Sequence, residues 1–239
     1  MRILAIDTTA KTASAAILED NALKIQYTVN ATATHSENML PMIEHMLQRT
    51  GLHMCDIDLY AVSNGPGSFT GVRIGVSLIK GLAHGSGKPC IGINTLRALA
   101  ENLFDVVRCG EIICAVMDAR RDQVYYGIWR KDPNETLVQI APSGAMDTTS
   151  LLQKLDAFCA PVFLVGDGTY LFDGASLEHG LHRAPQSLIW QSGYSVGKCA
   201  LREYLANPEG NFSDAALVPV YYRPSQAQRM LESKAATGC

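Results

Sequence analysis

An apolar run that ends in an acid and two hydroxyls, Ile3-Leu4-Ala5-Ile6-Asp7-Thr8-Thr9, is the first place in this chain where side chains could act on a ligand. A tight turn there can aim the amides of Thr8 and Thr9 at phosphate oxygens while Asp7 holds water or magnesium. The same residues also fit a plain turn, in which the aspartate satisfies local amides. The pattern returns downstream, where Ile112 to Met117 is apolar, Asp118 closes it, and a polar turn leads into Val124 to Trp129. Asp118 therefore joins Asp7 as a candidate nucleotide-side acid.

The second candidate is the turn Asn64-Gly65-Pro66-Gly67-Ser68-Phe69-Thr70-Gly71. Strand, glycines and helix start present free amides and a positive dipole end to an anion, which makes Gly65 and Gly67 candidate phosphate positions. A phosphate loop ending in Gly-Lys-Ser/Thr is absent. The glycines at 65, 67 and 71 miss the dinucleotide spacing by one residue, and no acid lies about twenty residues on. Gly67 directly precedes Ser68, so there is no nucleophile elbow. The alternative is a tight connection with glycine for steric relief, and Pro66, which has no amide hydrogen, leans that way. Metal chemistry has little to work with. His35 and His45 lie ten residues apart and read as capping or surface groups, and no Cys-x-x-Cys pair occurs among the seven cysteines. Without a secretory signal these thiols are expected to be reduced, in the cytoplasm.

Several elements must position these residues. Strands are expected over 2–6, 12–18 and 23–29, then a helix over 36–49, a buried strand over 57–63 and a helix over 72–84. A strand over 88–93 and a helix over 95–104 follow, with Thr95 as its cap. The second half repeats strand, aspartate, turn, strand, then gives a loop near Pro142, a helix over 149–158, a strand over 161–165 leading to Gly166-Asp167-Gly168, and a last helix over 194–205. The polar tail after Pro224 is expected to fray. Hairpins at the head of each half predict an α/β fold with mixed sheets, in two lobes spanning 1–106 and 107–239. Met39, Met42, Ile43 and Met46 form one apolar helical face, fit for a core or for an adaptable docking surface. Gly71 and Gly75, four apart, allow close helix approach. With 47% apolar and 18% charged residues and a net charge of −3, the chain is globular. It carries no basic stripe for gripping nucleic acid unaided, Arg120-Arg121 and Arg130-Lys131 being surface-sized clusters. No stretch is long and apolar enough for a membrane span.

The combined pattern resembles the TsaB (YeaZ) family. The matching pieces are Ile3 to Thr9, His35-Ser36-Glu37-Asn38-Met39-Leu40-Pro41, Gly65-Pro66-Gly67-Ser68-Phe69-Thr70-Gly71-Val72-Arg73-Ile74-Gly75, Lys80-Gly81-Leu82-Ala83, Ile93-Asn94-Thr95-Leu96 and the late Tyr222-Arg223, after which Gln228 replaces an expected acid. The resemblance implies a two-lobed actin-like, hexokinase-like (ASKHA) fold and a supporting role in forming threonylcarbamoyladenosine in tRNA. It implies partnership with the transferase TsaD and the ATPase TsaE, with tRNA reached through the complex and ATP or ADP present only in the assembly. TsaD holds its metal with two histidines four apart, and Thr95 and Leu99 stand at those places here. A hydroxyl and a hydrocarbon cannot replace two imidazoles on one helix face, so no catalytic or metal-binding residue is expected. Docking is implied through the first two helices, with Met39, Met42, Ile43, Met46, Val72, Val76 and Ile79 expected to form much of the heterodimer face, and homodimers expected without the partner.

Rival readings are an active phosphotransferase using Asp7 and Asp118, a metallopeptidase, and a serine hydrolase built on Ser68. Residues 61–75 contain no acid to serve as a base, and the histidine pair and the elbow are both missing.

Overall fold

The computed structural model describes residues 1–30 and 34–223; Gln228 and the tail from Pro224 lie outside the described residues. Two five-stranded sheets organise the chain. The first contains β1 (Arg2–Asp7), β2 (Ala13–Glu19), β3 (Ala22–Val29), β4 (Leu59–Gly65) and β5 (Cys90–Asn94) in the order β3-β2-β1-β4-β5. The second contains β6 (Ile112–Asp118), β7 (Gln123–Lys131), β8 (Leu137–Asp147), β9 (Val162–Val165) and β10 (Leu181–Arg183) in the order β10-β9-β6-β7-β8. Read from the other end, the second order is that of the first. In both, three strands form an antiparallel meander and two more add in parallel on the far side. The duplication that the Asp7 and Asp118 turns suggest thus extends to the whole sheet.

Among the described residues five α-helices complete the layers: α1 (His35–Thr50), α2 (Phe69–Ser86), α3 (Thr95–Glu101), α4 (Thr148–Asp156) and α5 (Gly193–Ala206). Helices α1 and α2 cover the outer face of the first sheet, and α5 covers its inner face. Helix α3 feeds both inner faces, giving Ala98 to the first sheet and Leu96, Leu99 and Ala100 to the second. Helix α4 and a 3₁₀ turn at Asp167–Phe172 cover the outer face of the second sheet. A division at residue 106 separates the sheets but not the helices, because α5 returns from the second half to pack on β1 and β2.

The helix ends follow from local chemistry. Glu37 accepts the amide of Thr34 and starts α1 one residue earlier than its apolar period shows, and Gly51 in the left-handed region stops it. Ser68 accepts the Gly71 amide, so α2 begins at Phe69, three residues before the expected start. The cap of α3 is Asn94, which accepts the Arg97 amide; Thr95 is not the cap but is buried inside the first turn. The expected loop near Pro142 is the long edge strand β8. Its pairing with β7 slips at Tyr126, Ile128 and Trp129, and an irregular edge tolerates a proline. The three-residue edge strand β10 gave no periodic signal.

Candidate functional site

Parallel strands end at the same side of a sheet, and that side is where open α/β sheets leave room for ligands. In both sheets the strand ends converge on one interlobe cleft of about 570 Å³. The β1–β2 turn contributes Thr9, Ala10 and Lys11, the start of α2 contributes Gly67 to Thr70, and the β6–β7 turn contributes Asp118, Ala119 and Arg120. Asp167, from the turn after β9, and Tyr221 to Arg223, from the last described stretch, close the remaining sides.

The sequence-predicted acids have different environments. Asp7 is buried: its Oδ1 accepts the amide and hydroxyl of Thr9, and its Oδ2 has no partner among the described residues. Burial raises its pKa, opposed by Ser63, whose hydroxyl lies beside it without a formed hydrogen bond, and by Thr9 and His35. Asp118 reaches the cleft, accepting the Arg120 amide at 2.6 Å and the Tyr170 hydroxyl at 2.9 Å. Asp167, which the sequence shows only as a turn between glycines, is a second strongly perturbed carboxyl. Burial drives it up to about 6, its own amide and Gln191 opposing, with the charges of Asp118 and Asp7 adding to the rise. Its Oδ1 and the buried Gln191 Nε2 have no hydrogen-bond partners among the described residues.

The other candidates divide. Thr9 and Gly67 line the cleft, and the Thr9 carbonyl accepts the Ser68 amide at 2.6 Å, tying the two turns together. Thr8 does not reach the cleft, because its buried hydroxyl donates to the Gly71 carbonyl at 2.7 Å. Gly65 does not either; a side chain there would run into the Val220 carbonyl that covers it. His35 is a structural group, its Nε2 donating to the Ala10 carbonyl at 2.7 Å, and His45 stacks on Tyr27.

The expected docking residues are corrected by their burial. Met39, Met42, Ile43, Met46, Val72, Val76 and Ile79 all lie buried in the core between α1, α2 and the first sheet, packed against their own fold. A stripe wide enough to cover a sheet is consumed by covering it. Gly71 and Gly75 likewise face inward, where side chains would overlap the Thr8 carbonyl and hydroxyl. They let α2 approach the β1–β2 turn, not a partner helix. The outer surface of α1 and α2 is a different set of residues. Leu40 is 44% exposed, Pro41 is exposed beside it, and Ser77, Gly81 and Gly85 repeat at four-residue spacing along exposed α2.

At the implied metal position, Thr95 is 0% exposed, its hydroxyl without a partner among the described residues, and Leu99 is 1% exposed. Leu99 packs with Leu96, Ala100 and Val165, and its Cδ1 lies against Gly166, the residue before Asp167. A polyphosphate at the cleft floor would face the carboxylates of Asp118 and Asp167. Among the described residues, no three His, Cys, Asp or Glu side chains are grouped as a metal-ligand set.

Comparison with known proteins agrees with this architecture. Residues 29–173 match the family model of TsaD, tRNA N6-adenosine threonylcarbamoyltransferase. The tRNA threonylcarbamoyladenosine biosynthesis protein TsaB of Escherichia coli is 37% identical, over 98% of this chain and 100% of its own. YeaZ from Pseudomonas aeruginosa superposes with a TM-score of 0.77 at 24% identity, covering 92% of this chain and 99% of that one. The activator of 2-hydroxyisocaproyl-CoA dehydratase from Clostridium difficile, solved with bound ADPNP, gives 0.50 at 12% identity, covering 87% and 97%. These two likenesses concern the fold alone, which is the two-lobed actin-like, hexokinase-like class. With a TsaD-type model matching its middle and a TsaB relative matching it end to end, the chain belongs to the TsaB (YeaZ) family of proteins for tRNA threonylcarbamoyladenosine biosynthesis.

Proposed function

We propose that this chain is a supporting, non-catalytic subunit that binds TsaD, and with it TsaE, while threonylcarbamoyladenosine is formed in tRNA. The observation that carries this reading is the packing of Leu99. Where the resemblance puts an imidazole, a hydrocarbon fills the space between α3 and the β9 turn, and the neighbouring Thr95 hydroxyl is sealed from solvent. Leucine has no electron pair for an ion, and a buried threonine hydroxyl is a poor substitute for an imidazole. The docking surface on this reading is the outward face of α1 and α2. Leu40 and Pro41 supply apolar area there, and Ser77, Gly81 and Gly85 let a second helix come close.

Reconstitution tests it. This chain, TsaD, TsaE, tRNA and threonylcarbamoyl-adenylate are combined, and each protein is withheld in turn. Modification is expected to fall by at least an order of magnitude without this chain, and to be undetectable when it is the sole protein. Modification of tRNA by the isolated chain would overturn the reading.

A further inference from the structure

The mouth of the cleft differs in charge from its floor. Lys11, Arg120 and Arg223 line it and Arg73 lies against its Phe69 and Tyr221; none of the four has a carboxylate partner among the ion pairs of the described residues, although Asp122 shares the Arg120 turn. Elsewhere Arg2, Lys24, Arg97, Lys131, Lys198 and Arg202 are held by acids, while others such as Arg49, Arg108 and Lys154 are in no ion pair of the described residues. Around this cleft the four cations outnumber the acids Asp118, Asp122 and Asp167, in a chain that as a whole carries −3. An aromatic platform lies beside it. Phe69 and Tyr221 stack with centroids 4.7 Å apart, the Arg73 guanidinium lies 3.9 Å over the Phe69 ring, and Arg73 Nε donates to the Tyr221 hydroxyl at 3.0 Å. Tyr221 remains 38% exposed. The Arg120 turn is held in an unusual shape, with Arg120, Arg121 and Asp122 all at positive φ of 64°, 57° and 55°. Such backbone in non-glycine residues recurs at ligand-contacting sites.

A ligand matching this mouth has phosphates that stay at the rim, away from Asp118 and Asp167, and flat rings that can lie on the platform. A free triphosphate entering end-first meets the acids; a strand laid across the opening does not. Cations tracking a backbone beside stacking aromatics are the means by which single-stranded nucleic acid is held without sequence reading. The geometry points to a direct contact, resting on the tRNA-modification role given above, between this cleft mouth and an unpaired stretch of the tRNA. Arg120 and Arg223 meet its phosphates, and Tyr221 with Phe69 stacks one of its bases.

Fluorescence anisotropy with the full-length chain tests this, using an unmodified tRNA transcript and a blunt RNA duplex of similar length at low and at physiological salt. The tRNA is expected to bind with a dissociation constant on the order of 10 µM at low salt, and the duplex more weakly. Arg120→Ser with Arg223→Ser should weaken tRNA binding about tenfold and reduce the salt slope by about two. Tyr221→Leu should weaken tRNA about tenfold and leave the duplex unchanged. Equal binding of duplex and tRNA, no binding up to roughly 100 µM, no loss in the arginine variant, or displacement of the RNA by AMP at matching affinity would each overturn the contact. Circular dichroism confirms that each variant is folded. Co-elution with TsaD separates the two readings: variants that keep TsaD but never bound RNA differently sink this contact alone, whereas wild-type protein that fails to co-elute sinks the supporting role.

Discussion

Asp167 is a residue whose protonation should be visible in the stability of the protein. Its folded pKa of about 6 lies above the ordinary 3.8, so the native state holds this proton more tightly than the unfolded chain does. Its effect on stability is therefore absent below about pH 4, grows as pH rises towards 6 and is full above that; the sign is destabilising. Asp167→Asn removes the charge, and in urea melts it should gain on the order of 3 kcal/mol over the wild type at pH 7.5 and almost nothing at pH 4. An equal shift at both pH values would mean that packing, not charge, decides. Asp7 and Asp118 were legible because each ends an apolar run at a turn. Asp167 was not, since its importance comes from burial beside two other acids that only the folded sheets bring near. Arg120, Tyr222 and Arg223 stand out in the sequence as a surface cluster and a late segment, without any sign that they share a cleft.

At the scale of elements, periodicity located nearly every helix and strand, and capping side chains decided where they begin. It could not say which side of a helix faces out to a partner, because a stripe that fits a core and a stripe that fits an interface look alike in one sequence. Two substitutions now separate those roles. Met42→Glu puts a charge into the core under α1 and should cost about 3 kcal/mol or more, seen as a lowered urea midpoint. Gly81→Arg, with no atom within 4 Å of the added Cβ, should instead stabilise the helix by about 0.5–1 kcal/mol while abolishing co-elution with TsaD. Retained co-elution would remove the outer face of α2 from the interface. The edge strands β8 and β10 were missed for a related reason. Strands paired on one side, bulged or only three residues long need not alternate cleanly.

Across the whole molecule, one repeated sheet order accounts for the cleft, because two like sheets with strand ends turned towards each other leave a gap between them. The sequence carried that repeat only in its first two strands, where the turn residues match; the rest is preserved in strand order, not in residue type. Helices α3 and α5 join the halves from inside, so the sheets should unfold together. Leu99→Ala, emptying the space between α3 and the second sheet, is expected to cost about 2–5 kcal/mol. Circular dichroism and tryptophan fluorescence, the latter reporting the cluster that holds Trp129 and Trp190, should then give coincident transitions. Separate midpoints would show that the lobes melt independently.

The final described residues run from one lobe to the other on a short leash. Lys80 holds the Leu217 carbonyl, Asn64 holds both Val218 and Val220, and only a few residues later Arg223 grips Ala119 while Tyr222 leans edge-on against Tyr125. At roughly 3.5 Å per residue, so little chain permits only a modest yawn of the jaws before one anchorage lets go. Since Tyr221 rides on the leash, a wide gape would also dismantle the aromatic shelf at the entrance, and whatever rests on that shelf would hold the jaws nearly shut.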